Sequence, residues 1–131
     1  MLVYLCRHAK AVSGEPDEAR ELTDTGREQA RELGSHLASL DEPPTVVLTS
    51  PLVRARQTAE AIAEACGVKL RIESELAPGA TASGLRKALS RLAGPVATVG
   101  HQPDCSEIAL AVSGSDPSFA PGSMTVLELD A

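Results

Sequence analysis

The chain has 131 residues, a length at which one domain can bury a sizeable core without disulfide or metal cross-links. Its net charge of −6 argues against a general nucleic-acid or anionic-membrane binder, because such proteins derive affinity from a basic surface. Tyr4 and Phe119 are the only aromatic residues in the sequence, so the core must be aliphatic and no stacking platform for single strands is available.

The cysteines Cys6, Cys66 and Cys105 are odd in number and widely spaced, so neither a disulfide framework nor a zinc site is expected. None is followed six residues later by the arginine that a cysteine-based phosphatase requires. The apolar stretch at the N-terminus is too short for a signal peptide, and no run is long enough to span a bilayer. We therefore expect a cytoplasmic, monomeric protein that binds neither membrane nor nucleic acid and needs no metal or other cofactor.

The first half of the chain alternates between strand and helix patterns. Residues 2–6 predict a strand, and leucines at helical spacing predict a helix over 23–40 with Thr23 as its N-cap. A second strand is predicted over 45–50. The helix after it is expected to begin at Pro51, with Ser50 as its cap and Gly67 just beyond its end.

The second half continues this alternation. It predicts a more exposed strand over 68–73, a helix over 83–94 and a strand over 96–100, and then a helix over 103–114 and a last strand over 123–131. No repeat or linker divides the chain. The pattern predicts one α/β domain over residues 1–131, with three α/β/α layers and a mostly parallel central sheet.

Polar residues follow the ends of three predicted strands. Arg7 and His8 follow the first strand, Ser50 ends the second, and His101 follows the fourth. In open α/β sheets, ligands bind outside the carboxyl ends of the strands. The sequence therefore predicts a site at this edge of the sheet.

Two histidines and two arginines at such an edge suit phosphoryl transfer. The guanidinium groups of Arg7 and Arg54 match the oxygens of a phosphoryl group, and Arg54 lies near the N-terminus of a predicted helix, where an anion is favoured. A neutral His8 can attack phosphorus, and His101 can stabilise the charge that develops. Positioning and electrostatics are the main requirements of this reaction, and these residues can supply them without a metal.

Four segments, "RHAKA", "LTDTGREQA", "SPLVRARQTAE" and "VGHQPD", resemble the signature blocks of the histidine phosphatase superfamily. This resemblance runs from Met1 to about Leu110 and implies a phosphoglycerate mutase-like fold. The short chain, which has no inserted cap domain, is most similar to the SixA-type phosphohistidine phosphatases.

The resemblance also implies roles for single residues. His8 would be the phosphorylated nucleophile, Arg7 and Arg54 would hold the phosphate, and His101 would be the second histidine of the pocket. Ala9 stands where most members have glycine, which requires a negative φ at this position.

Three further residues are candidates for a secondary role. Arg20 is a possible additional phosphate contact, and Lys10 could add positive potential at the pocket mouth. Glu75 is the nearest match to the glutamate that donates a proton in many members, although its position does not fit the usual block.

The expected function is a phosphohistidine phosphatase that acts on a histidine-phosphorylated signalling protein, of the phosphotransfer-domain or histidine-kinase type. A phosphohistidine releases an imidazole, which needs less acid assistance than an alkoxide. A pocket without a cap would admit a protein substrate. Two alternatives stay open: a phosphomonoesterase for small phosphorylated molecules with the same site, and a module that binds a phosphorylated ligand without turnover.

Overall fold

A five-stranded sheet forms the centre of the molecule in a computed structural model that describes residues 1–129. Its strands are β1 (Leu2–Arg7), β2 (Val46–Thr49), β3 (Lys69–Ile72), β4 (Val96–Gly100) and β5 (Met124–Glu128). Their order is β3-β2-β4-β1-β5, and only β5 is antiparallel to its neighbour. The prediction of a mostly parallel sheet is confirmed.

Helices cover both faces of the sheet. They are α1 (Asp24–Ala38), α2 (Val53–Cys66), α3 (Ala82–Leu89) and α4 (Asp104–Ser113). Alternate residues of β1 serve the two faces: Tyr4 and Cys6 pack with α1 and α2, whereas Val3 and Leu5 pack with α3 and α4. The predicted three-layer α/β/α architecture is therefore confirmed.

The helix ends agree with the sequence in some places and differ in others. Thr23 caps α1, since its hydroxyl accepts a hydrogen bond from the Gly26 N–H at 2.9 Å, and Gly67 ends α2 in the left-handed conformation with φ 67°. Ser50 is not the cap of α2, because the helix begins at Val53 after Leu52 rather than at Pro51. Helix α3 ends at Leu89, several residues before the predicted stop.

The register of the sheet brings three strand ends to the same level. Arg7 of β1 pairs with Gly100 of β4, and Thr49 of β2 pairs with Val99. The backbone N–H of His8 then donates to the Gly100 carbonyl at 3.0 Å. The residues that follow β1, β2 and β4 consequently meet at one edge.

The last strand is shorter than predicted. β5 begins at Met124 and ends at Glu128, and residues 130–131 of the predicted strand lie outside the described residues. Among residues 1–129, no helix is both long enough and apolar enough to cross a membrane.

Candidate active site

A pocket of about 340 Å³ lies at the carboxyl edge of β1, β2 and β4. Its lining consists of Arg7, His8, Lys10, Ala11, Arg20, Arg54, His101, Gln102 and Pro121. The structure thus brings together the predicted phosphate-binding arginines, the two predicted catalytic histidines and two of the three secondary candidates. Ala11, Gln102 and Pro121 were not predicted, because short loops determine their positions and loops carry no periodic signal.

The protonation of His8 follows from one hydrogen bond. Its Nδ1 lies 2.7 Å from the carbonyl oxygen of Ala9, and because a carbonyl can only accept, Nδ1 carries the proton. The lone pair of the ring is therefore on Nε2. Burial lowers the pKa of His8 to about 4; the hydrogen bond to Ala9 opposes this shift, and the positive charges of Arg54 and Arg7 add to it. At neutral pH His8 is therefore an uncharged imidazole with a free lone pair on Nε2.

The backbone after His8 is fixed by its neighbours. Ala9 is buried, and its N–H donates to the hydroxyl of Thr58 in α2 at 3.0 Å. Ala9 has a negative φ, as an alanine in place of the usual glycine requires. This segment therefore holds the His8 ring against the sheet edge.

His101 lies opposite His8. The ring centroids are 5.2 Å apart, His101 is only 4% exposed, and its Nε2 is 2.7 Å from the hydroxyl oxygen of Ser50. Burial is the main cause that lowers the pKa of His101 to about 4, and His8 and Arg54 lower it further. Both histidines are therefore neutral in a site that is otherwise rich in positive charge.

Arg7 and Arg54 are held by backbone carbonyls from distant loops. Arg7 Nη1 donates to the Phe119 carbonyl at 2.8 Å, and Arg54 Nη1 donates to the Asp17 carbonyl at 2.9 Å. The Nε of each arginine is buried and has no hydrogen-bond partner among the described residues. Buried donors without acceptors are rare, so these groups fit a site that an anion completes.

Asp17 is a site residue that the sequence analysis missed. Its carboxylate accepts from Arg54 Nη2 at 3.2 Å with one oxygen and from Arg20 Nε at 3.0 Å with the other. The hydrogen bond from Arg20 is the main cause that lowers the pKa of Asp17. The three-residue spacing of Asp17 and Arg20 in the sequence predicts their pairing. The contact with Arg54, which is 37 residues away, could not be predicted from the sequence.

Two secondary candidates differ in where the structure places them. Lys10 is exposed at the pocket mouth, and its backbone N–H donates to Gln29 Oε1 at 2.9 Å. Glu75 is not brought to the pocket. Its carboxylate lies beside α3, 3.6 Å from Lys87 Nζ, because the short helical turn Ser74–Leu76 directs it to that helix. No aspartate or glutamate lines the pocket within residues 1–129.

The fold and the site define an α/β protein whose pocket places guanidinium donors beside a neutral histidine, an arrangement that suits a phosphoryl-like anion. The chain belongs to the histidine phosphatase superfamily, since residues 3–78 match the sequence profile of its branch 1. The resemblance of the sequence motifs to this superfamily is thereby confirmed.

Relatives and solved structures extend this assignment. The chain is 40% identical over 81 residues to the Photorhabdus laumondii protein assigned as phosphoglycerate mutase GpmB, a match that spans 56% of this chain but only 36% of that protein. It is 28% identical to the Agrobacterium tumefaciens protein assigned as phosphohistidine phosphatase SixA, with a TM-score of 0.82, covering 95% of this chain and 89% of that one.

A further solved structure shares the fold. It is the protein histidine phosphatase SixA complexed with tungstate, with a TM-score of 0.88 at 23% identity, covering 99% of this chain and 89% of that one. The phosphoglycerate mutase-like fold is therefore common to this chain and both SixA structures, whose lengths it nearly matches.

Proposed function

We propose that this protein is a phosphatase that forms a covalent phosphohistidine intermediate on His8 and acts on a phosphohistidine of a signalling protein. The observation that carries the proposal is the hydrogen bond from His8 Nδ1 to Ala9, which leaves the Nε2 lone pair free beside two arginines whose Nε atoms are buried. A neutral imidazole among guanidinium donors is the combination that attack on phosphorus requires.

The reaction would proceed in two displacements. The lone pair of His8 Nε2 attacks phosphorus, and the bond from phosphorus to the leaving nitrogen breaks with its electron pair, while solvent supplies the proton that this nitrogen takes up. Arg7 and Arg54 hold the oxygens of the phosphoryl group throughout. A water molecule then attacks phosphorus, His8 Nε2 leaves with its electron pair, and inorganic phosphate is released.

The lining of the pocket favours a phosphohistidine over a phosphate ester. Among the described residues no carboxylate lines the pocket. The carboxylate of Asp17, which Arg54 and Arg20 hold nearby, has a lowered pKa and stays ionised, so a general acid is not at hand for an alkoxide leaving group. An imidazole has a pKa near neutrality and leaves without such help. The similarity to the Agrobacterium protein, which is assigned as a phosphohistidine phosphatase, supports the same choice. A phosphotransfer domain or a histidine kinase is the class of partner that we propose.

Labelling tests the mechanism. The protein is incubated with a radiolabelled phosphohistidine protein, quenched and assayed for acid-labile label. We expect label on the wild type and none on His8→Ala, whereas His36→Ala, which removes an exposed histidine on α1, should label like the wild type. Label that persists on His8→Ala would contradict the assigned nucleophile.

A phosphomonoesterase for small molecules is the second candidate. It is supported by the match to the Photorhabdus protein assigned as a phosphoglycerate mutase. Rates on a panel of phosphorylated metabolites and on a phosphohistidine protein separate the two. Comparable kcat/KM values on both classes would remove the preference for phosphohistidine, and binding of phosphate without any turnover would identify a binding module instead.

A further inference from the structure

Ser50 is fully buried and contacts the ring of His101, one of the two histidines of the pocket. It follows β2, and its N–H donates to the Val99 carbonyl of β4 at 3.0 Å, so its backbone is fixed by the sheet. The sequence predicted Ser50 as the cap of α2, but that helix begins at Val53 with Leu52 before it. The hydroxyl of Ser50 is therefore not used to cap α2.

The hydroxyl of Ser50 has two neighbours within hydrogen-bond distance. Its oxygen accepts from the Leu52 N–H at 3.2 Å and lies 2.7 Å from His101 Nε2. A hydroxyl has one proton to donate and two lone pairs. The Leu52 N–H can only donate, so within the described part of the chain His101 Nε2 is the acceptor available for the hydroxyl proton of Ser50.

The alternative arrangement leaves a buried proton without a partner. If His101 Nε2 carried the proton and donated to Ser50, the hydroxyl oxygen would accept twice and its own hydrogen would have no acceptor. Because a buried donor without an acceptor loses its hydrogen bond to water and gains none in the protein, the arrangement in which Ser50 donates is favoured.

We propose that Ser50 is a positioning residue that donates its proton to Nε2 of His101 and so fixes the His101 proton on Nδ1, from which it donates to a phosphoryl oxygen. This inference rests on the proposed phosphatase function. His101 Nδ1 is buried, has no partner among residues 1–129, and belongs to a side chain that lines the pocket opposite His8. The bound phosphoryl group supplies the missing acceptor.

In each histidine, the ring nitrogen that bonds to the protein determines the role of the other ring nitrogen, and the two rings thereby take opposite roles. His8 donates through Nδ1 to the backbone and keeps a lone pair on Nε2. His101 accepts through Nε2 from Ser50 and keeps an N–H on Nδ1. One ring is an electron-pair donor, and the other is a hydrogen-bond donor that remains useful while uncharged.

The wild-type protein provides the first test, independent of any turnover. Proton–nitrogen correlation spectra of protein with labelled histidine at neutral pH report which ring nitrogen of each histidine is protonated. The three histidines are assigned by comparison with His8→Gln and His36→Gln. We expect His101 protonated on Nδ1 and bare on Nε2; protonation of Nε2 would overturn the proposal even if the enzyme is a phosphatase.

Substitution of Ser50 provides the second test. In Ser50→Ala we expect the His101 signal to shift toward the Nε2-protonated form, and tungstate affinity and kcat each to fall on the order of tenfold, the loss of about one hydrogen bond. Ser50→Thr, which restores a hydroxyl, should recover the wild-type tautomer. Ser50→Ala with an unchanged His101 signal, or with unchanged tungstate affinity, would refute the assigned role.

Thr49→Val is the matched control. It removes a neighbouring buried hydroxyl whose only described partner is the carbonyl of Ser50, at 3.0 Å. We expect lower stability with an unchanged His101 signal and unchanged tungstate affinity. A shift of the His101 signal in Thr49→Val equal to that in Ser50→Ala would show that general loosening, rather than the Ser50 proton, controls the tautomer.

Discussion

Arg54 and Arg56 lie two residues apart on α2 but face different surroundings. Arg54 has a side chain that is 6% exposed, and it is held by both the carbonyl and the carboxylate of Asp17, whereas Arg56 is exposed. A helix places residues two apart on different faces. The pair therefore offers a test of the proposed phosphate site with an internal control.

Arg54→Ala should lower kcat/KM about 100-fold, because removal of one preorganised donor of transition-state charge has an effect of this size. Arg54→Lys should recover little of the loss, since an ammonium lacks the planar fork that matches a phosphoryl group. Arg56→Ala should behave like the wild type. Steady-state kinetics on the preferred substrate measure all three, and equal losses in Arg54→Ala and Arg56→Ala would contradict the assigned site.

At the residue scale, the sequence could predict the parts of the site that follow strand ends. Arg7, His8 and His101 lie where the apolar runs stop, and Arg54 follows a helix start, so each had a local signal. Asp17 had none for its contact with Arg54, because a short turn in a loop delivers it from 37 residues away. Ser50 is predicted as a helix cap, because a serine followed by a proline is typical of a helix N-terminus, and nothing in the local sequence indicates its contact with His101.

The first turn of α1 is packed directly on the loop that follows His8. A Cβ built on Gly26 would overlap the carbonyl oxygen of Lys10 and lie 2.9 Å from its carbonyl carbon. The same Lys10 carbonyl accepts from the N–H of Thr23, the cap of α1, at 3.0 Å. A side chain at Gly26 must therefore displace the backbone two residues after His8.

Gly26→Ala should destabilise the protein by about 1–3 kcal/mol, as overpacking of a tight contact does, and should lower kcat of the molecules that remain folded. Denaturant unfolding measures the first effect, and turnover normalised to the folded fraction measures the second. An unchanged kcat would mean that the helix moves and the His8 loop does not.

Gly34→Ala is the matched control on the same helix. A Cβ at Gly34 would lie 2.8 Å from the Ala61 carbonyl oxygen, at the contact between α1 and α2 and not at the pocket. This variant should lose stability in a similar range but keep the wild-type kcat per folded molecule. Comparison of the two variants separates loss of fold from loss of site geometry.

At the element scale, the sequence predicted a helix end correctly where a single residue determines the backbone geometry of that end. Thr23 and Gly67 were predicted as they occur, since a hydroxyl cap and a left-handed glycine act locally. The stop of α3 was placed too late, at Gly94, because the apolar spacing continues past Leu89 although the helix does not. Periodicity shows which residues face the core, and it does not show where a helix stops.

Stability should depend on pH through the two buried histidines. A histidine in the unfolded chain has a pKa near 6.5, whereas burial lowers the pKa of both His8 and His101 to about 4 in the folded protein. Between these values the unfolded chain binds more protons, so the free energy of unfolding falls as the pH falls through this window. The contribution is fully present above about 6.5 and is lost as the pH approaches 4.

Denaturant unfolding at several pH values measures this effect. Each histidine should contribute a slope on the order of 1 kcal/mol per pH unit inside the window. The double variant His8→Asn/His101→Asn should show a shallower dependence than the wild type, and His36→Asn, on the exposed face of α1, should keep the wild-type dependence. Equal slopes in the double variant and the wild type would contradict the lowered pKa values.

At the scale of the whole molecule, the sequence predicted the class of fold but not the order of the strands. The alternation of strands and helices indicated three layers and a parallel sheet. Which strands pair depends on contacts between distant segments, such as Arg7 with Gly100, and no local pattern encodes them. The antiparallel pairing of β5 with β1 could not be predicted from the sequence for the same reason.

The hydrogen bond between His8 Nδ1 and the Ala9 carbonyl also dictates the regiochemistry of the proposed reaction. Because Nδ1 is occupied by its proton, any phosphoryl group that the protein carries must reside on Nε2, which makes the adduct the tele isomer of phosphohistidine. The pros isomer would require this hydrogen bond to break and the ring to turn over inside a half-buried site. Phosphorus NMR of the trapped adduct distinguishes the two isomers by chemical shift.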